Sequence, residues 1–126
     1  MNGVLLDSYA WIELFIGSEK GEKVKQILVT QPCWTSIISI AELSEWAEKN
    51  QFDAGQYLAT LIAKSAVLNL DEKMLQAAGK TNFYRKKKIK NWGLIDSIIL
   101  TTAKTYGLDI ATGDKHFKDI DGTIFI

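Results

Sequence analysis

Four acidic residues, Asp7, Glu42, Asp96 and Asp114, lie in or at the end of stretches that are otherwise uncharged and largely apolar. An ionised carboxylate in such company costs free energy unless it is paired or bound to a metal. Carboxylates brought close together also repel one another and take up protons unless a cation neutralises them. Oxygen-only ligand sets suit hard divalent cations such as Mg²⁺ and Mn²⁺. Together these side chains would form a metal site for phosphoryl transfer, in which the metal activates water and offsets developing charge.

Short apolar runs alternate with segments of helical periodicity along the chain. This alternation predicts crossover connections and a parallel sheet that is covered by helices on both faces. Ligands of such sheets bind at the carboxyl ends of the strands, and Asp7 and Asp114 lie just past the carboxyl ends of two predicted strands. The predicted strands are 4–6, 33–36, 66–70, 108–111 and 123–125, and the predicted helices begin near residues 9, 18, 39, 53, 71 and 94.

The same positions also fit a simpler interpretation, in which the acids only cap helices and turns. Asp is favoured at helix N-caps and in turns. Ser39 and Glu42, three residues apart, fit a capping box at the start of the third predicted helix. Asp96 fits a cap less well because apolar residues surround it inside a predicted helix, although Gly93 leaves a helix start nearby. The residues alone therefore leave both interpretations open.

The composition limits the class of protein. A chain of 126 residues and 14.1 kDa predicts one domain over residues 1–126. Fifteen basic and fifteen acidic residues cancel, which disfavours a protein that coats duplex DNA by bulk charge. One Cys and one His exclude an internal disulfide and a Cys₄ or Cys₂His₂ zinc site. Neither a signal peptide nor a membrane span is apparent, so we expect a soluble cytoplasmic protein without a membrane partner.

Four segments that carry the acids resemble the motifs of the PIN-domain family. The segments are 4–8, 36–43, 94–100 and 108–117, so the resemblance covers essentially the whole chain. Their order and spacing are similar to those of VapC-type toxins from toxin–antitoxin pairs. The resemblance implies a three-layer α/β/α sandwich with a central parallel sheet of about five strands. It also implies a Mg²⁺- or Mn²⁺-dependent endoribonuclease that forms a homodimer and is inhibited by a small antitoxin protein.

The resemblance also assigns roles to individual residues. Asp7 and Asp96 correspond to the acids that most often carry the metal, and Glu42 and Asp114 to the acids that complete the site. In the resulting hypothesis, water activated by the metal attacks the phosphorus of RNA in line and leaves 5′-phosphate and 3′-hydroxyl ends. Two hydroxyl residues are expected to support these ligands without binding the metal themselves: Thr112 and Ser8.

Two other functions remain open on the sequence. A PIN ribonuclease of RNA maturation would use the same chemistry, and a small antitoxin gene immediately upstream would argue against it. A non-catalytic α/β binding module would use the acids only as caps, and it would be indifferent to divalent cations.

A basic segment shortly before Asp96 is a candidate RNA interface. Its functional interpretation is a phosphate-binding lip beside the metal site, with Tyr84 and Trp92 stacking on bases. The alternative is a solvated helix end, whose cations complement the helix dipole. His116, the only histidine, is predicted to be exposed in a loop or short helix. The basic residues expected to contact RNA are Arg85, Lys86, Lys87, Lys88 and Lys90.

Overall fold

The computed structural model describes residues 1–126 and contains five strands and six helices. None of the helices has the length and apolar character needed to cross a membrane. The strands are β1 (Val4–Leu6), β2 (Cys33–Ser36), β3 (Ala66–Leu68), β4 (Asp109–Thr112) and β5 (Thr123–Phe125). The helices are α1 (Ser8–Ile16), α2 (Glu19–Thr30), α3 (Ile38–Lys49), α4 (Ala54–Lys64), α5 (Glu72–Lys88) and α6 (Leu94–Tyr106), and a single 3₁₀ turn covers Lys115–Phe117.

The five strands form one parallel sheet in the order β3-β2-β1-β4-β5. Strand β1 is central, and its Leu5 lies in register with Trp34 of β2 and Ile110 of β4. The chain continues from β1 to one side of the sheet and later returns to the other side through β4. The carboxyl ends of β1 and β4 therefore flank a topological switch point, which is where open parallel sheets leave a crevice for ligands.

Side chains of the central strand alternate between two hydrophobic cores, as the twofold repeat of a strand requires. Val4 and Leu6 pack in a core with residues of α1, α2, α3 and α4, whereas Leu5 packs in a second core with residues of α6. Helix α5 packs along α6. The arrangement is a three-layer α/β/α sandwich, so the predicted fold class is confirmed.

Most predicted helix starts agree with the structure, because a cap is a local interaction. Ser18 accepts a hydrogen bond from the backbone N–H of Gly21 at 3.1 Å, and Asp71 accepts one from Met74 at 2.8 Å. The predicted extent of the third strand is too long, since β3 ends at Leu68 instead of residue 70.

The predicted capping box of Ser39 and Glu42 is wrong. Ile37 occupies the N-cap position of α3 and already has helical backbone angles, so Ser39 lies inside the helix. The Ser39 side chain is buried and its hydroxyl has no hydrogen-bond partner. The Glu42 carboxylate instead accepts a hydrogen bond from the Ser8 hydroxyl of α1 at 2.6 Å. A side-chain N-cap needs an extended residue, and the direct passage from β2 into α3 provides none at Ser39.

Candidate active site

The structure brings the four predicted acids together in one cleft of about 230 Å³ at the carboxyl edge of the sheet. Asp7 follows β1, Asp114 follows β4, Glu42 lies just past the first turn of α3, and Asp96 lies in the first turn of α6. Residues separated by more than 100 positions in sequence thus share one small space. The cleft is lined by Asp7, Ser8, Tyr9, Ile12, Glu42, Asp96, Ile99, Asp114 and Phe117.

Asp7 is the most buried of these acids, with only 6% of its surface exposed. Its Oδ1 accepts a hydrogen bond from the backbone N–H of Ala10 at 2.9 Å and so caps α1. The pKa of Asp7 is raised from 3.8 to about 7, chiefly by burial; the charges of Asp114 and Glu42 add to the rise, and the hydrogen bonds from Thr112 and Ala10 oppose it. Asp7 is therefore a cap, as the simpler interpretation held, but one that is unusually costly to ionise.

Glu42 and Asp96 show the same electrostatic pattern. Burial raises the pKa of Glu42, and the hydrogen bond from Ser8 opposes this shift. Burial also raises the pKa of Asp96, whose Oδ2 accepts a hydrogen bond from the backbone N–H of Gly93 at 2.9 Å. The charge of Asp96 also raises the pKa of Glu42, and the charge of Asp114 raises the pKa of Asp96. The acids of the cleft thus hinder one another's ionisation.

Asp114 lies at the start of the 3₁₀ turn, where it is held by a network of short contacts. Its Oδ1 accepts a hydrogen bond from the backbone N–H of His116 at 2.9 Å and lies 2.7 Å from Nδ1 of the same residue. The backbone N–H of Asp114 donates to the Thr112 hydroxyl at 2.9 Å. Because Thr112 also interacts with Asp7, this buried hydroxyl connects the acids that follow β1 and β4.

The donor chemistry of the cleft fits a hard divalent cation, since all four acids supply carboxylate oxygens. A cation would also favour the ionised form of a buried acid such as Asp7. No three acidic, His or Cys side chains lie close enough together in this structure to form a metal-binding group. Each acid is instead turned toward a hydrogen-bond donor of the protein. Binding of one ion by three or more of these acids therefore requires their side chains to rotate.

Arg85 occupies a different environment from the exposed one expected for an RNA-binding residue. Its guanidinium donates to both carboxylate oxygens of Asp119, at 2.9 and 3.0 Å, and to the backbone carbonyl of His116 at 3.2 Å. It also lies over the ring of Trp92, 4.0 Å from the centroid, and the Trp92 indole N–H donates to Ser97 at 2.7 Å. This cluster ties α5 to the 3₁₀ turn and to the first turn of α6, the segments that carry the fourth and third acids.

The sequence contains no local signal for this cluster, because Arg85 and Asp119 are 34 residues apart. The prediction that Trp92 stacks on bases is wrong, since only 2% of its surface is exposed and it packs in the second core. His116, expected to be merely exposed, instead pairs with Asp114. An RNA contact stays a prediction for the four basic residues whose side chains are exposed: Lys86, Lys87, Lys88 and Lys90.

The fold and the cleft together define a parallel three-layer α/β protein with four acids at the carboxyl edge of its sheet. The PIN domain family model matches residues 4–123, and the chain belongs to this family of nucleases. No match was found among curated proteins.

Solved structures similar to this one include VapC-type toxins and toxin–antitoxin complexes. A toxin–antitoxin complex from Klebsiella pneumoniae is 25% identical, with a TM-score of 0.76 and coverage of 97% of this chain and 96% of that one. The VapBC-1 structure from nontypeable Haemophilus influenzae is 26% identical, with a TM-score of 0.71 and coverage of 100% of this chain and 97% of that one. A sarcin–ricin-loop-cleaving VapC toxin of Mycobacterium tuberculosis is 12% identical and shares the fold, with a TM-score of 0.77 over 95% and 96%.

The raised pKa of Asp7 predicts a stability cost that grows with pH when divalent cations are absent. The unfolded carboxyl ionises near its ordinary value of 3.8 and the folded one near 7, so stability is lost as pH rises through this window. Relative to Asp7→Asn, the wild type should lose about 2–3 kcal/mol of unfolding free energy between pH 5 and pH 8. Urea unfolding in a chelating buffer measures this difference. A difference that stays constant with pH would contradict the burial of an ionisable Asp7.

The Arg85 cluster predicts a substantial effect of Arg85→Gln on stability. The substitution leaves Asp119 and the His116 carbonyl without their donor, at a cost of about 1–3 kcal/mol in unfolding free energy. Lys73→Gln, an exposed change on the same helix, is the matched control and should stay within about 0.5 kcal/mol. Equal unfolding midpoints for the two variants would mean that the cluster contributes nothing to folding.

Proposed function

We propose that this protein is a Mg²⁺- or Mn²⁺-dependent endoribonuclease and the toxin of a toxin–antitoxin pair. The observation that carries the proposal is the gathering of four acids, three of them with raised pKa, at the switch point of a PIN-domain sheet. A cap needs no such neighbours, whereas acidic clusters with perturbed pKa values are typical of functional sites. The toxin role is supported by the similar structures, among them toxin–antitoxin complexes.

In this proposal Asp7 and Asp96 hold the cation, and Glu42 and Asp114 complete its surroundings. When bound, a divalent cation neutralises charge on the scissile phosphate and favours the attack of water. Asp7 is anchored by the Ala10 N–H and Asp96 by the Gly93 N–H, so helix starts fix the backbone of both ligands. The hydroxyls of two further residues orient the remaining acids by hydrogen bonding: Ser8 on Glu42 and Thr112 on the Asp114 backbone.

The first functional test compares Asp7→Asn and Asp96→Asn with the wild type. Each substitution removes a charged ligand, so we expect Mn²⁺ binding by calorimetry to be lost. RNA cleavage should fall at least about a hundredfold, which corresponds to roughly 3 kcal/mol of activation free energy. Asp53→Asn is the matched control, because Asp53 also stands at a helix start but is exposed and outside the cleft.

Two results would contradict the proposal. Full cleavage by either cleft variant would remove the assignment of these ligands. Indifference of the wild type to Mn²⁺, together with intact folding of all variants, would favour the non-catalytic binding module.

A small antitoxin is the proposed partner, and an apolar groove of about 460 Å³ between α1, α2 and α4 is the surface we assign to it. The groove is lined by Leu14, Phe15, Leu28, Val29 and Tyr57, together with polar residues at its rim. Val29 is 77% exposed, and a large apolar side chain in an open groove is typical of a protein contact. The proposed homodimer and cytoplasmic location stay predictions.

Val29→Glu should abolish binding of the antitoxin without affecting folding. The change introduces a charge into an apolar contact, which is costly to bury, while the free protein keeps the charge in solvent. Ile62→Glu is the control, because Ile62 is 62% exposed on α4 and does not line the groove. Calorimetric titration of each variant with the antitoxin measures the effect. Equal binding by both variants would place the partner elsewhere.

A further inference from the structure

Tyr9 forms one wall of the acidic cleft and is wedged against the segment that leads to Asp114. Its ring contacts the backbone of Gly113 so closely that a Cβ at this glycine would lie 2.3 Å from Cε1 of the ring. No side chain larger than glycine fits there without displacing Tyr9. The position of the tyrosine hydroxyl is therefore set by the same turn that positions the fourth acid.

Lys20, in the first turn of α2, reaches this hydroxyl. Its Nζ donates a hydrogen bond to the Tyr9 hydroxyl at 2.9 Å and lies 5.1 Å from the ring centroid. The hydrogen bond raises the pKa of Lys20, so the ammonium is charged throughout the neutral range. The Tyr9 hydroxyl thus holds a cation at the edge of the cleft.

This cation has no carboxylate partner of its own. The ion pairs of the chain are Lys25–Glu22, Arg85–Asp119 and His116–Asp114, and none includes Lys20. Glu13, whose charge acts on Lys20, accepts a hydrogen bond from the Ser18 hydroxyl instead. An ammonium group has three donors, and Tyr9 uses one of them. Two donors of Lys20 are therefore available to a ligand.

An RNA strand that enters a cleft with four acids needs cations beside the cleft, because each nucleotide carries a negative phosphate. Arg85 does not meet this need, since Asp119 and Trp92 hold its guanidinium. Lys20 reaches the cleft through Tyr9, which lines it, and forms no ion pair with Asp7, Glu42 or Asp96. It is placed for a phosphate next to the scissile one.

We propose that Lys20, positioned by Tyr9, forms a phosphate-binding site for the RNA strand at the mouth of the acidic cleft. The proposal rests on the proposed ribonuclease function. Lysine suits this role because it binds phosphate as a point charge and does not require the paired geometry of an arginine. The site would hold the substrate strand in register and would take no part in the chemical step.

The test measures binding of a single-stranded, uridine-rich RNA of about twelve nucleotides by fluorescence anisotropy at several salt concentrations. The proteins carry Asp96→Asn to prevent cleavage. Adding Lys20→Gln should weaken binding about threefold to tenfold and reduce the slope of log affinity against log salt by about 0.7, the value for one phosphate contact on a single strand. Lys23→Gln is the matched control, an exposed lysine on the same helix whose loss should leave the slope unchanged.

Kinetics of the proteins with intact acids separate binding from chemistry. Lys20→Gln should raise KM and leave kcat unchanged, because a neighbouring phosphate is held equally in the ground state and the transition state. Tyr9→Phe removes the hydroxyl and keeps the ring, so it should raise KM by less than Lys20→Gln does.

The outcomes distinguish the two proposals. If the wild type cleaves RNA but Lys20→Gln binds it with the same affinity and salt slope as Lys23→Gln, the phosphate site is overturned and the proposed function stands. If the wild type neither binds nor cleaves RNA, the proposed function is overturned, and the phosphate site with it. A fall in kcat with unchanged KM for Lys20→Gln would assign this lysine to the chemistry and overturn the binding role.

Discussion

The buried carboxylate of Asp7, at the end of the central strand, is the constraint on which the site depends. It caps α1 through the Ala10 N–H, so the helix that covers one face of the sheet begins at an acid that is 6% exposed. Its pKa near 7 shows that this position is costly for an ionised group. This costly position lies where β1 and β4 are adjacent, and the crevice at the carboxyl ends of these strands is also where a parallel sheet binds its ligands.

Burial also makes ionisation of Glu42 and Asp96 costly, and hydroxyl groups connect the acids of the cleft to neighbouring elements. Ser8 connects α1 to Glu42 of α3, and Thr112 connects the Asp7 carboxylate to the backbone of Asp114. These contacts hold the acids at one edge of the sheet while their charges oppose one another. Such a cleft favours the binding of positive charge, which is consistent with the proposed divalent cation.

Two cationic side chains near the cleft differ in their partners: Arg85 pairs with a carboxylate of the protein, whereas Lys20 does not. The Arg85 guanidinium binds Asp119 and the His116 carbonyl and stacks on Trp92, and it joins α5 to the segments that carry two of the acids. Lys20 donates a hydrogen bond only to the Tyr9 hydroxyl and forms no ion pair, which is why we propose it as the phosphate-binding cation. The distinction depends on the partner of each cation and not on the number of basic residues nearby, since the densest basic segment supplies the structural arginine.

Features encoded by nearby residues could be predicted from the sequence: the alternation of strands and helices, the caps at Ser18 and Asp71, and the four acids in uncharged stretches. Sheet order, and with it the meeting of Asp7 and Asp114, was foreseeable only in outline from the rule that parallel strands share a carboxyl edge. The pairing of Ser8 with Glu42 and of Arg85 with Asp119 depends on how distant segments pack, because the residues of each pair are 34 positions apart in sequence. Local patterns therefore misassigned Ser39 as a cap and Trp92 as a surface residue, since burial and long-range hydrogen bonds form only when distant segments pack together.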